Sequence, residues 1–317
     1  MPNFHWRVRL ILFFVNLADV SKRPLTKSRP VANFFTRLLN VIGGYKFPNF
    51  YSVTDKNFIA KEGHDLKLKV YTPYKTDKPL PVWLYIHGGG FAFGAYDARS
   101  NFCKTIATRA DCIVVSIQYR LAPENPFPAA INDVYEAALW VSEHAHEFGG
   151  DATKMAVGGE SAGGNLSAAL SQMARDKGRP KIIHQTLLYP AVDATLNYPS
   201  IDECATGYML TKSLMQKFHA AYVPNEADHK NPYCSPIYGE LKGLPPATVI
   251  TAEFDPLRDE GNMYAEKLKA AEVPVAHKEF KNTIHDFTMM ATKHLPEARE
   301  SLQMIVEEIK KAFAKNI

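Results

Sequence analysis

The sequence predicts an α/β fold: a mostly parallel central sheet flanked by helices. Three observations predict it. From about residue 65 onward, short apolar runs alternate with helix-length segments, and strands joined through helices form parallel sheets by crossover connections. The runs are rich in β-branched and aromatic residues and each is followed by Gly, Pro or a polar turn, as in strands buried on both faces. The composition, 46% hydrophobic and 22% charged over 317 residues, is that of a globular chain and excludes disordered and fibrous classes.

Leu66, Leu68 and Val70 alternate with lysines and predict a half-buried strand. Val82–Ile86, Cys112–Ile117, Met155–Val157, Thr186–Tyr189, Thr248–Thr251 and Val275–Phe280 predict six more. Helices are expected over Ile131–Phe148, Asn165–Arg175, Arg258–Ala271 and Ser301–Phe313, where apolar residues recur at helical spacing. Residues 1–50 precede this rhythm, and Ala191–Pro246 is too long for a simple connection. Both are expected to form a cap, because long excursions in compact domains are usually functional or disordered. The expected organisation is therefore N-terminal cap helices over 1–50 and a catalytic domain over 51–317, with a cap insertion at about 191–246.

The charge balance, 37 Lys+Arg against 33 Asp+Glu, is mild and reads as scattered, so no nucleic-acid partner is expected. Cys103, Cys112, Cys204 and Cys234 form no C-x-x-C pair. A chain this long needs no disulfide staples, so reduced thiols in the cytoplasm are expected, and no metal site. At the N-terminus Arg7 and Arg9 precede the apolar run Leu10–Val15. That run is too short for a signal peptide's core or a membrane span. It reads as an amphipathic helix packed on the protein, with membrane-surface contact as the alternative.

Gly159-Glu160-Ser161-Ala162-Gly163 is a G-x-S-x-G between a strand and a helix. A sharp turn there lifts a serine hydroxyl to the rim of the sheet, above a helix N-terminus that favours negative charge. His87-Gly88-Gly89-Gly90 follows the strand Val82–Ile86. Consecutive glycines cost backbone entropy, and close approach of amides to an anionic oxygen is a reason to keep them. With the amide of Ala162 they would form an oxyanion hole. A phosphate loop is disfavoured, because neither a P-loop nor a dinucleotide fingerprint is present. A serine nucleophile needs an imidazole base and a carboxylate to orient it. Asp255 follows Thr248–Phe254 and His285 follows the last predicted strand, both where a parallel sheet presents its functional loops. Of eleven histidines, His64, His144, His146 and His229 read as solvated surface, His184 and His219 as core or cap, and His87 as a shaper of its loop.

Together these motifs resemble the hormone-sensitive-lipase-like esterases (bacterial lipolytic family IV) of the α/β-hydrolase superfamily. The resemblance is carried by His87–Phe91, Tyr119-Arg120-Leu121-Ala122-Pro123-Glu124, Phe127–Ala130 with Asp133, Gly159–Gly164, Asp255–Asp259 and His285-Asp286-Phe287, across roughly residues 65–290. It implies an α/β-hydrolase fold with a helical cap and hydrolysis of short- to medium-chain carboxylic esters without a cofactor. It also implies a triad of Ser161, Asp255 and His285 and an oxyanion hole of Gly89, Gly90 and Ala162. Subunit pairing is common in the family, so a homodimer is a further expectation. Phe91, Phe93, Tyr189, Met209, Leu210 and Phe287 are the candidate walls of the substrate pocket. One departure stands out: the family usually has Gly after the catalytic His, and here Asp286 follows, expected to point to solvent, the alternative being that it raises the imidazole pKa or draws its N–H away from Asp255. The alternatives are an amidase or deacetylase using the same triad, and a ligand receptor on the same fold. Receptors such as those for gibberellin lack the histidine that is present here.

Overall fold

The strands form one eight-stranded sheet: β1 (Ser52–Ile59), β2 (Asp65–Thr72), β3 (Leu80–Ile86), β4 (Ile113–Gln118), β5 (Gly150–Glu160), β6 (Gln185–Leu188), β7 (Ala247–Phe254) and β8 (Val275–Ile284). The computed structural model describes residues 4–18, 22–44, 46–47, 49–290 and 294–315, with the side chains at 15–18 and 42–43 outside that description. Val15, at the end of the N-terminal apolar run, is one of these. Spatial order is β1-β2-β4-β3-β5-β6-β7-β8. The β1–β2 and β2–β4 pairs are antiparallel, and every pairing from β4 through β8 is parallel.

The helices are α1 (Trp6–Ala18), α2 (Leu25–Gly43), α3 (Ser100–Ala110), α4 (Ala129–His144), α5 (Ala162–Asp176), α6 (Pro199–Glu203), α7 (Lys212–Tyr222), α8 (Arg258–Ala270) and α9 (Pro296–Ala314). On β3 the pleat sends Trp83 and Tyr85 to one face, among residues of α3 and α9. Val82, Leu84 and Ile86 go to the other, among residues of α4 and α5. Both sets are buried, which is why the strand is apolar throughout instead of alternating.

All seven expected strands and four expected helices are present. Two elements are additional. β1 reads Ser-Val-Thr-Asp-Lys-Asn-Phe-Ile, lies at the sheet edge and is largely exposed, so no apolar pattern betrays it. α3 buries Phe102, Cys103, Ile106 and Ala107 within the first core cluster. The chain from 191 to 246 leaves after β6 and returns at β7, carrying α6 and α7 above the parallel strand ends. The N-terminal helix differs from the amphipathic expectation. Phe4, Val8 and Leu12 are buried in the core, but Trp6, Leu10, Phe13 and Phe14 are exposed, so apolar residues occupy both faces. All four cysteines are free and buried.

Candidate active site

β5 ends at Glu160 and α5 begins at Ala162, so Ser161 alone makes the turn. Its backbone is held at φ 56°, ψ −119°, outside the comfortable regions for an L-residue. The flanking glycines permit this. A Cβ on Gly159 would lie 2.1 Å from the Ile86 carbonyl oxygen, and one on Gly163 2.0 Å from the same atom. The elbow thus packs backbone against the end of β3.

Asp255 follows β7 and His285 follows β8. His285 Nε2 lies 3.0 Å from Ser161 Oγ, and its Nδ1 lies 2.7 Å from Asp255 Oδ2. Asp255 is fully buried, and its Oδ1 accepts the Leu257 amide at 2.9 Å. Burial disfavours the imidazolium of His285. The charge and hydrogen bond of Asp255 more than offset that, with smaller contributions from Asp286 and Glu160, and the pKa is raised from its usual value. The ring of Tyr189 stands edge-on to the imidazole at 5.0 Å.

The glycine loop lies beside the serine. Gly89 adopts φ +115°, a backbone state open essentially only to glycine. A Cβ there would strike the Phe93 carbonyl at 2.6 Å. Among the described residues no acceptor is bonded to the amides of Gly89, Gly90 or Ala162. His87 is built into the loop: its Nδ1 lies 2.8 Å from the Gly88 carbonyl, and its ring stacks on Tyr119 at 4.3 Å. Burial lowers its pKa to about 4, so the ring is neutral.

These groups open onto a cavity of about 640 Å³, with His87–Phe91, Ser161, Ala162 and His285 on its floor. Its walls come from α1, α2, α7, the segment after the glycine loop and the segment after β6, and include Phe93, Leu39, Met209, Leu210, Leu214 and Phe218. Of the six candidate wall residues, Phe91, Phe93, Met209 and Leu210 line the cavity, whereas Tyr189 and Phe287 do not. Those two are buried behind His285 in the core of α9 and β8, so they back the imidazole and do not face the cavity.

Asp286 corrects a second expectation. It is 9% exposed and does not point to solvent. Arg99 Nη2 donates to its Oδ2 at 2.5 Å, and Arg99 Nε lies 3.6 Å from Glu160 Oε1. Glu160 also accepts the Gly88 amide at 2.9 Å and the Tyr85 hydroxyl at 2.8 Å. Burial pushes the Glu160 carboxyl up to about 7. One guanidinium therefore joins the residue before the serine to the residue after the histidine. Sequence reading missed Arg99, because its partner lies 187 residues away. It also missed Arg29 of α2, whose Nε donates to the Ala92 carbonyl at 2.7 Å and whose Nη2 donates to that of Ala122 at 2.9 Å. Arg29 pairs in addition with Glu124. His64 is not simply solvated surface: its Nε2 lies 2.9 Å from Asp133, which Arg120 also holds.

A serine beside an imidazole and a buried carboxylate, on the C-terminal rim of a mostly parallel sheet, is the architecture of the α/β hydrolases. Residues 83–289 match the family described as alpha/beta hydrolase fold. The chain is 42% identical over 253 residues to the carboxylesterase NlhH of Mycobacterium tuberculosis, covering 78% of this chain and 79% of that protein. It is 35% identical over 263 residues to an ethyl acetate hydrolase of Pseudomonas putida, covering 81% and 82%. In structure it is similar to a hyperthermophilic esterase from the archaeon Pyrobaculum calidifontis, with a TM-score of 0.91, 37% identity and 98% and 99% coverage. The chain belongs to this family, in the hormone-sensitive-lipase-like branch that its motifs resemble.

Proposed function

We propose that the chain is a carboxylic ester hydrolase acting through an acyl-serine on Ser161. The observation that carries this reading is the unbroken chain of contacts from Asp255 through His285 to the Ser161 hydroxyl, at 2.7 and 3.0 Å. The names of the relatives, carboxylesterase and ethyl acetate hydrolase, point to the same chemistry.

His285 removes the hydroxyl proton as the oxygen attacks the ester carbonyl, and Asp255 stabilises the imidazolium that forms. Charge collects on the carbonyl oxygen, beside the amides of Gly89, Gly90 and Ala162. Each such donor is worth about 2.7–4 kcal/mol in the transition state. His285 then protonates the leaving alkoxide, and water attacks the acyl-serine by the reverse steps. Residues 1–50 and 191–246 serve as the cap. Its apolar lining and the cavity volume of about 640 Å³ suit short to medium acyl chains.

Replacement of Ser161 by alanine is expected to lower turnover of a short p-nitrophenyl ester by about 10⁴-fold or more, because the triad acts as a unit. Retention of most turnover by the folded variant would falsify the nucleophile assignment.

A further inference from the structure

Helices α1 and α2 leave two stripes of large apolar side chains in solvent. On α1 they are Trp6, Leu10, Phe13 and Phe14; on α2 they are Val31, Phe34, Leu38 and Val41. Each set recurs at three- and four-residue spacing, so each forms one face of its helix. Phe13 and Phe34 are each 62% exposed, although the opposite face of α1 is buried in the core. Contiguous apolar surface of this kind on a globular protein marks an interaction site.

Charge indicates the partner. The first 50 residues hold eight Lys or Arg and one Asp, whereas the remaining 267 hold 29 against 32. The mild overall balance therefore hides a basic N-terminal segment on a slightly acidic body. Neither α1 nor α2 contains an acidic residue. A second copy of the same face therefore offers these cations no complementary charge. Arg29 and Arg37 are paired with Glu124 and Asp97 of the body, but Arg7 and Lys27 stand one turn ahead of Leu10 and Val31 on the same helix faces, with Arg7 over the Trp6 ring at 4.8 Å, and an anionic lipid surface satisfies both these cations and the apolar stripes.

Position adds a third observation. Trp6, Leu10, Phe14 and Leu38 are exposed and also line the cavity that contains Ser161, so the apolar surface continues into the mouth of the site. We propose that the exposed faces of α1 and α2 dock the protein on an anionic phospholipid surface, with the cavity mouth turned toward the lipid. Esters dissolved in that lipid then enter without crossing water. The docking stands independently; only what is hydrolysed there rests on the esterase reading.

The test is co-sedimentation of the full chain with vesicles of phosphatidylcholine alone or of phosphatidylcholine mixed with phosphatidylglycerol, at low and high salt. Turnover of soluble p-nitrophenyl acetate is measured on the same samples. Binding to the anionic vesicles, weakened by salt, is expected. Neither Phe13 nor Phe34 lines the cavity, so the double variant Phe13→Ser/Phe34→Ser should keep its turnover of the soluble ester. Its partition onto anionic vesicles should fall by about tenfold or more, as two aromatic side chains no longer leave water. Equal binding to both vesicle types would overturn the proposal. So would absence of binding, whether the chain is monomeric or forms a dimer that the double variant disrupts. A chain that sediments but hydrolyses no ester would leave the docking intact and remove the esterase reading. One that hydrolyses esters but never sediments does the reverse.

Discussion

His285 is flanked by carboxylates from three directions: Asp255 beyond β7, Glu160 at the end of β5, and its own neighbour Asp286. Arg99, from the segment before α3, is the guanidinium that pairs with Asp286 and Glu160, and the Tyr189 ring stands edge-on to the imidazole. The imidazole must be neutral to accept the serine proton, so a raised pKa moves the acid limb of kcat/KM to higher pH than an ordinary histidine would give. Replacing Asp286 by asparagine removes one negative charge while leaving Arg99 a partner in Glu160. The acid limb is then expected to shift to lower pH, which a pH–rate profile would show. An unshifted limb, in a variant with normal thermal stability, would mean that Asp286 only fills space. Asp255→Asn should cost turnover far more, because it favours the wrong imidazole tautomer; about 10⁴-fold is typical of this change. If Asp259→Asn proves more damaging than Asp255→Asn, the orienting carboxylate is misassigned. At this scale the sequence was legible wherever chemistry and spacing coincide: a serine in a glycine-flanked elbow, and a histidine and an aspartate just beyond strands. Arg99 and Arg29 were not, since nothing local distinguishes an arginine whose partners arrive from distant parts of the chain. Tyr189 and Phe287 misled for the opposite reason. Phe287 lies two residues after His285 and Tyr189 directly follows β6, but both side chains enter the core instead of the cavity.

Of the two N-terminal helices, α2 is the one tied by hydrogen bonds to the flank of the glycine loop. Arg29 reaches from its first turns to the carbonyls of Ala92 and Ala122, and Asn33 Oδ1 accepts the Gly94 amide at 2.8 Å. These contacts fix the segment just after the glycine loop. Arg29→Met is expected to destabilise the protein by about 1.5–3 kcal/mol, the usual worth of hydrogen bonds to a charged group. The midpoint of denaturant unfolding measures this, and turnover should drop with it. Arg29→Lys should not restore either, because an ammonium cannot span two carbonyls and a carboxylate as the planar fork does. The strands that carry the site announced themselves as apolar runs because both of their faces are covered. β1 did not: with one neighbour and a largely wet surface, its residues are free to be polar.

For the whole molecule, the same sheet that aligns the site also supplies the two principal cores, and β3 belongs to both. Leu84 is fully buried in the second. Leu84→Ala should cost about 2–5 kcal/mol through lost burial and the cavity left behind, read as a lower unfolding midpoint. Little effect would indicate that the surrounding side chains collapse into the space. The alternation of strands and helices was enough to establish the layered architecture from sequence. It could not show how the N-terminal helices lie, because their apolar residues point both inward and outward and periodicity alone does not say which face meets the body.

Arg29 ties these scales together. A single side chain near the start of the chain grips backbone oxygens more than 60 positions later. A nick just ahead of it would spare the grip, whereas trimming a few residues further would release the segment beside the glycine loop from its anchor. The stretch that carries Arg29 is therefore part of what holds the neighbourhood of the glycine loop in place, whereas the outward faces of the same helices can change without loosening that hold.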